Sequence, residues 1–188
     1  SHFEHIPQRD MLFSYLSQAI RQHKKGVNIL FYGPPGTGKT ELASLLGEEL
    51  NVATYTMAYM DKDGDVLGGR KRMENCRLAQ KLLQESKGLI IFDEVEDIFS
   101  SGLFERSVAQ SHKAWMNQLL ENNDVPMIWI TNSVWCMDNA YLRRFDLVVE
   151  MPDLPIKNKA KLFKELVGDK FSDEYIQHLS KVKGLSPA

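Results

Sequence analysis

Eight residues, Gly33-Pro34-Pro35-Gly36-Thr37-Gly38-Lys39-Thr40, have the types and spacing needed to hold a chain of phosphates. Glycines let a backbone turn with its N–H groups facing inward around an anion. The helix that such a loop opens adds unpaired donors and the positive end of its dipole. Lys39 supplies a charge for the β- and γ-phosphates, and Thr40 a hydroxyl for Mg²⁺. The whole is the G-x-x-x-x-G-K-[ST] pattern of nucleotide phosphate binding. A dinucleotide fingerprint is excluded, because Glu41 stands where its third glycine is needed.

Further chemistry follows at two later apolar runs. Leu89-Ile90-Ile91-Phe92 ends in Asp93-Glu94, 53 residues after Thr40. Asp93 is placed to hold Mg²⁺ through its water shell, and Glu94 to activate a water as general base. The alternative is an ordinary strand end before an acidic helix start, since Glu96 and Asp97 continue the run. Met127-Ile128-Trp129-Ile130-Thr131 ends in Asn132, whose amide could orient that water or merely serve a turn. Arg143 and Arg144 precede the last apolar run, and a guanidinium there suits phosphate oxygens as an arginine finger. Arg70-Lys71-Arg72 begins a helix against its dipole, which reads as a solvated face or as a patch with an anionic or subunit partner.

These residues need elements to position them. Runs at Val27–Tyr32, Val52–Met57, Leu89–Phe92, Met127–Thr131 and Leu147–Met151 read as strands, and helix-like stretches separate them. That alternation gives a parallel sheet covered on both faces, in which ligands bind at the carboxyl ends of the strands. Leu12, Leu16, Ala19 and Ile20 predict an amphipathic helix before the first strand, and Glu41–Leu50 a helix after the phosphate loop. A stripe of Trp115, Met116, Leu119 and Leu120, with Trp129, reads as core, and Trp135 as partly exposed. Met73, Ala79, Leu82 and Leu83 mark the apolar side of the helix that begins at the basic triplet. After Pro152-Asp153-Leu154-Pro155 the composition shifts: Ile156–Ala188 carries seven Lys against four acids, with apolar positions from Leu162 to Leu179. The expected division is a nucleotide-binding α/β unit over 1–155 and the start of a helical lid over 156–188.

On these motifs the chain resembles the AAA+ ATPases, close to the narrow-sense AAA group. Gly33–Thr40 matches Walker A, Leu89–Glu94 Walker B, Asn132 sensor 1, and Arg144-Phe145-Asp146 with Met151-Pro152-Asp153 the arginine-finger region. The resemblance implies a P-loop NTPase three-layer sandwich with a five-stranded parallel sheet in the order 5-1-4-3-2 and a small helical lid. It also implies Mg-ATP as substrate and metal, and a ring, usually hexameric, in which Arg144 reaches a neighbour's ATP. Three positions depart from the family pattern. Leu147 stands where a second arginine is common, the sensor 2 region falls at or beyond Gly184–Ala188, and the loop Met60–Gly69 has Val66-Leu67 where an aromatic pair is usual.

Composition bounds the rest. The chain has 188 residues, 43% hydrophobic and 26% charged, the balance of an ordinary globular domain. A net charge of −2 gives no footprint of general nucleic-acid binding. Cys76 and Cys136 stand 60 positions apart with no zinc spacing, the five His show none either, and a reducing cytoplasm is the simplest setting. No apolar run approaches the ~20 residues needed to span a bilayer. A start at Ser1 and an end at Leu185-Ser186-Pro187-Ala188, which reads as the opening of another helix, suggest a piece of something longer. The expected function is ATP hydrolysis coupled to remodelling of a protein client. The alternatives are an ATP-gated assembly module with slow hydrolysis and a nucleic-acid-associated motor.

Overall fold

In the computed structural model, residues 8–60, 62–99, 106–135, 137–153, 156–167 and 170–182 are described. Asp61, Cys136, Leu154, Pro155 and the end from residue 183, with the sensor 2 region, lie outside these, as do the side chains of His112, Leu166 and Val167. Five strands form one sheet: β1 (Asn28–Tyr32), β2 (Ala53–Thr56), β3 (Gly88–Phe92), β4 (Met127–Thr131) and β5 (Leu147–Glu150). Their order is β2-β3-β4-β1-β5, which read from the other edge is the expected 5-1-4-3-2. Every pairing is parallel, with Phe31 opposite Ile130 on one side and Val149 on the other.

Because successive strand residues face opposite ways, β1 feeds two cores. Ile29 and Phe31 join Leu89, Ile91, Ile128 and Ile130 under helices α1 (Arg9–Arg21) and α2 (Lys39–Glu49). All four expected apolar positions of α1, Leu12, Leu16, Ala19 and Ile20, are buried. Leu30 joins Ile90, Phe92, Met127 and Trp129 on the other face, under α3 (Gly69–Leu83), α4 (Glu96–Phe99), α5 (Arg106–Asn122) and α6 (Asn139–Leu142). Trp129 is wholly buried and stacks on Phe92 with ring centroids 5.2 Å apart. Such aromatic pairs contribute roughly 0.5–1.5 kcal/mol beyond the area they bury. Its indole N–H donates to Asn28 Oδ1 at 2.9 Å, and Asn28 Nδ2 donates to the Leu120 carbonyl and to Asn123 Oδ1. This buried amide relay pins the lower end of β1 to the end of α5.

Three expectations shift. Of the expected apolar side of α3, Met73 is buried and Ala79 and Leu83 pack against the core, but Leu82 is 72% exposed, and Arg72, Cys76 and Gln80 join the inner face. Hence the basic triplet splits: Arg70 is exposed while Arg72 has no exposed surface. Trp135 is almost fully exposed rather than partly so. Burial pushes the Cys76 thiol up to about 12, so it behaves as a small apolar core group. Beyond β5, α7 (Ile156–Val167) packs against α8 (Asp173–Lys181), with Ile176 buried and Ser172 capping α8 through the Tyr175 N–H.

Candidate nucleotide site

The phosphate-loop residues leave the sheet at the end of β1. Gly33 passes so close to the end of β5 that an added Cβ would sit 2.2 Å from the Met151 carbonyl oxygen, and its φ of +147° lies outside the range of side-chain-bearing residues. Thr37 Oγ1 donates to the Pro34 carbonyl at 2.9 Å, closing the loop across Pro35 and Gly36. Gly38 stands at the N-cap of α2 with φ +81°, a left-handed conformation that favours glycine, and the first-turn N–H groups of α2 have no partners within the helix.

Lys39 begins α2 and folds back into the loop. Its Nζ donates to the Gly33 and Pro34 carbonyls, each at 2.8 Å, and to Asn132 Oδ1 at 3.1 Å. Burial lowers its pKa from the ordinary lysine value, while the carboxylates of Asp93 and Glu96 pull it back up. A cation so far removed from water gains more from an anion than a surface lysine does. Thr40 Oγ1 donates to Asp93 Oδ2 at 2.6 Å, linking the start of α2 to the end of β3.

Asn132, just beyond β4, is held by an acid the sequence reading passed over. Glu96 Oε1 accepts from the Asn132 N–H at 2.6 Å and stands 3.0 Å from Thr131 Oγ1. Glu94 is exposed, with its amide donating to Asp93 Oδ1 at 2.8 Å and its own φ at +51°. Lys39, Thr40, Asp93 and Asn132 therefore form one connected group, with Glu94 at its edge. A hydroxyl beside a carboxylate oxygen is the hard-oxygen pair that suits Mg²⁺. Among the described residues no group of three or more His, Cys, Asp or Glu could hold a metal. Loop glycines, a desolvated ammonium and this oxygen pair fit a metal–nucleoside triphosphate.

Arg144 is not part of this group. Asp146 pairs with Asn28 at the opposite end of β1, its N–H donating to the Asn28 carbonyl and its Oδ2 accepting from the Asn28 N–H. The five residues of β1 separate that end from the phosphate loop, about 16 Å at 3.3 Å per residue. There Arg144 Nε donates to Glu121 Oε1 at 2.8 Å, and Nη1 to the Ala140 carbonyl at 2.5 Å. Arg143 is exposed.

The family described as "ATPase family associated with various cellular activities (AAA)" matches residues 29–153, from β1 to just past β5. The chain is a member of that family. Among its relatives is the ATP-dependent zinc metalloprotease FtsH of Malacoplasma penetrans, 30% identical over 170 residues, covering 81% of this chain and 20% of the relative. Another is the proteasome-activating nucleotidase 2 of Haloferax volcanii, 30% identical over 145 residues, covering 70% of this chain and 34% of the relative. The chain thus spans a fifth to a third of these relatives. The FIGL-1 AAA domain, solved in complex with ADP, has the same fold, with a TM-score of 0.62 and 16% identity over 85% of this chain and 56% of that one. Among the described residues no helix is long and apolar enough to cross a membrane.

Proposed function

We infer that this chain is the Mg-ATP-hydrolysing unit of a ring-forming protein, and that the ring spends the hydrolysis on remodelling a protein client. The observation that carries this is the connected group at the carboxyl ends of β1, β3 and β4, where Lys39 touches Asn132 and Thr40 touches Asp93. The family implies the reaction, and of the named relatives one is described as ATP-dependent and the other as a nucleotidase.

In this reading the loop amides and Lys39 bind the β- and γ-phosphates, with Pro34, Pro35 and Gly36 shaping the turn. Thr40 ligates Mg²⁺ and Asp93 holds it through water. The metal, when bound, neutralises charge that builds on the phosphate oxygens. Glu94 accepts a proton from the attacking water, and Asn132 holds that water in line. The water oxygen bonds to the γ-phosphorus as the bond to the β-γ bridging oxygen breaks, and ADP leaves with that electron pair. Because Arg144 lies a strand length from its own phosphate loop, it serves the site of a neighbouring copy. Residues 1–155 are the nucleotide-binding unit and 156–188 the start of a lid.

The client-facing candidate is the loop after β2. Met60 bridges Val66 in antiparallel fashion and the Leu67 N–H donates to the Tyr59 carbonyl, so residues 59–60 and 66–67 pair as the arms of a short hairpin. Met60 and Val66 are more than half exposed and Leu67 is half-buried, so the exposed aliphatic pair is Met60 with Val66. An aliphatic grip between acidic positions suits a particular basic or folded partner better than an arbitrary chain.

Phosphate release measured against protein concentration tests the proposal. Turnover per subunit should rise with concentration and vanish in Glu94→Gln while Mg-ATP stays bound. Turnover independent of concentration would remove the ring requirement. Tight binding with assembly but no turnover would favour the ATP-gated scaffold, and salt-dependent binding of single-stranded DNA the nucleic-acid motor.

A further inference from the structure

Arg72 is the only residue of the basic triplet without exposed surface, and it lies under the acidic end of β3. Its guanidinium donates to two consecutive backbone carbonyls, Asp93 through Nη2 and Glu94 through Nη1, the latter at 2.8 Å. Nη1 also pairs with Asp97 Oδ1 at 3.0 Å. The charge centre lies 4.9 Å from the Phe92 ring centroid and 5.2 Å from that of Tyr59. Among the described residues its Nε, fully buried, has no hydrogen-bond partner.

An apolar side chain of similar length would fill this space without burying a charge and an unpaired donor, and buried ion pairs are often replaced that way without loss of stability. What an apolar residue cannot do is grip two successive carbonyls. Those carbonyls flank a left-handed turn of the backbone, since Glu94 is a side-chain-bearing residue at φ +51°. A left-handed residue persists only when its surroundings over-determine it. The planar fork of an arginine, with donors in fixed directions, does so from below. One of the two rings beside the guanidinium belongs to Tyr59, whose carbonyl also closes the hairpin through the Leu67 N–H.

We propose that Arg72 is a positioning residue that fixes the Asp93–Glu94 turn and, through the Tyr59 ring, ties the geometry of that turn to the exposed 60–66 hairpin. The proposal rests on the reading of Glu94 as the base and deepens it. Movement of the hairpin that shifts the Tyr59 ring changes the packing on one face of the guanidinium, and the two carbonyls follow.

The test compares Arg72→Lys and Tyr59→Leu with the unaltered chain by amide hydrogen exchange, Mg-ATP affinity and phosphate release. A lysine keeps the charge beside Asp97 but is a single point donor. The expected result is faster exchange in the segment 91–99 with none in 33–43, Mg-ATP affinity within about threefold, and kcat lowered roughly ten- to a hundredfold, as for a small misplacement of a catalytic group. Tyr59→Leu should give the same pattern to a smaller degree. A folded Arg72→Lys with unchanged exchange at 91–99 and unchanged kcat would overturn the proposal. Should Arg72→Lys fail to fold, Tyr59→Leu decides, because Tyr59 is 39% exposed and not part of the core. Unchanged exchange at 91–99 in that variant overturns the link to the hairpin and with it the proposal. If the unaltered chain neither binds nor hydrolyses Mg-ATP, the nucleotide reading falls, and exchange at 91–99 still judges Arg72 by itself.

Discussion

The two ends of β1 carry arginine or lysine chemistry of opposite kinds. At the upper end Lys39 is buried among carbonyls of its own loop and reaches Asn132, 93 residues away, with each contact made inside one chain. At the lower end Arg144 is paired with Glu121 and the Ala140 carbonyl, 30% exposed, and remote from any phosphate site of its own chain. In the proposed reading the first end binds within a single copy, and the second presents a guanidinium, paired here with Glu121, that acts on another copy's site. On that reading the phosphate-binding groups and the base share the upper end while the arginine finger stands apart, so a variant at Arg144 should leave nucleotide binding nearly intact.

The largest expected effect comes from breaking the lower end. Arg144→Ala should leave Mg-ATP affinity per subunit nearly unchanged and lower turnover of assembled protein by roughly 10³–10⁵-fold, the range for arginine fingers. Mixing it with Lys39→Ala should partly restore activity, since an intact Arg144 on one copy then faces an intact Lys39 on another. No recovery despite co-assembly shown by analytical ultracentrifugation would transfer the role to Arg143 or to a group acting within its own chain.

Breaking the upper end acts on binding. Lys39→Ala removes a charged donor worth about 1.5–3 kcal/mol, so the Mg-ATP Kd from calorimetry should rise by roughly ten- to a hundredfold or more. An unchanged Kd would dissolve the contrast between the two ends.

A third variant asks whether the ends are mechanically separable. Asn28→Ala orphans the Trp129 indole N–H and frees the Leu120 carbonyl and Asn123 side chain, a cost of about 2–4 kcal/mol. The thermal midpoint should fall by roughly 5–12 °C at this chain length while Mg-ATP affinity holds within about threefold. A large loss of affinity would mean that the relay also sets the phosphate loop.

The smallest effect sharpens the view of the pair that Arg144 makes with Glu121. Glu121→Gln weakens an ion pair between partly exposed groups, worth about 0.2–1 kcal/mol. Assembled turnover should rise by no more than a few-fold, since Arg144 is released to its neighbour more readily. A fall would make Glu121 a support for the finger rather than a restraint, and would be read in the same phosphate-release assay.

The sequence by itself determined the sheet and the phosphate loop, because continuous apolar runs bounded by turn residues and the glycine–lysine spacing are local properties of the chain. Strand order followed only through the family resemblance, and the parallel pairings of β1 with β4 and β5 agree with it. The helical phase of Arg72 was also legible, since it shares a stripe with Cys76, Ala79 and Leu83. Charge alone had suggested a solvated face, and charge was the weaker signal. Only tertiary structure decided that Glu96 grips the end of β4, that Arg72 grips the end of β3, and that Met60 rather than Leu67 accompanies Val66 into solvent. Each of those contacts joins segments whose approach depends on how the turns after the strands fold back. Hydrophobic periodicity records which face of an element is buried, and it carries no record of which polar group waits on the other side.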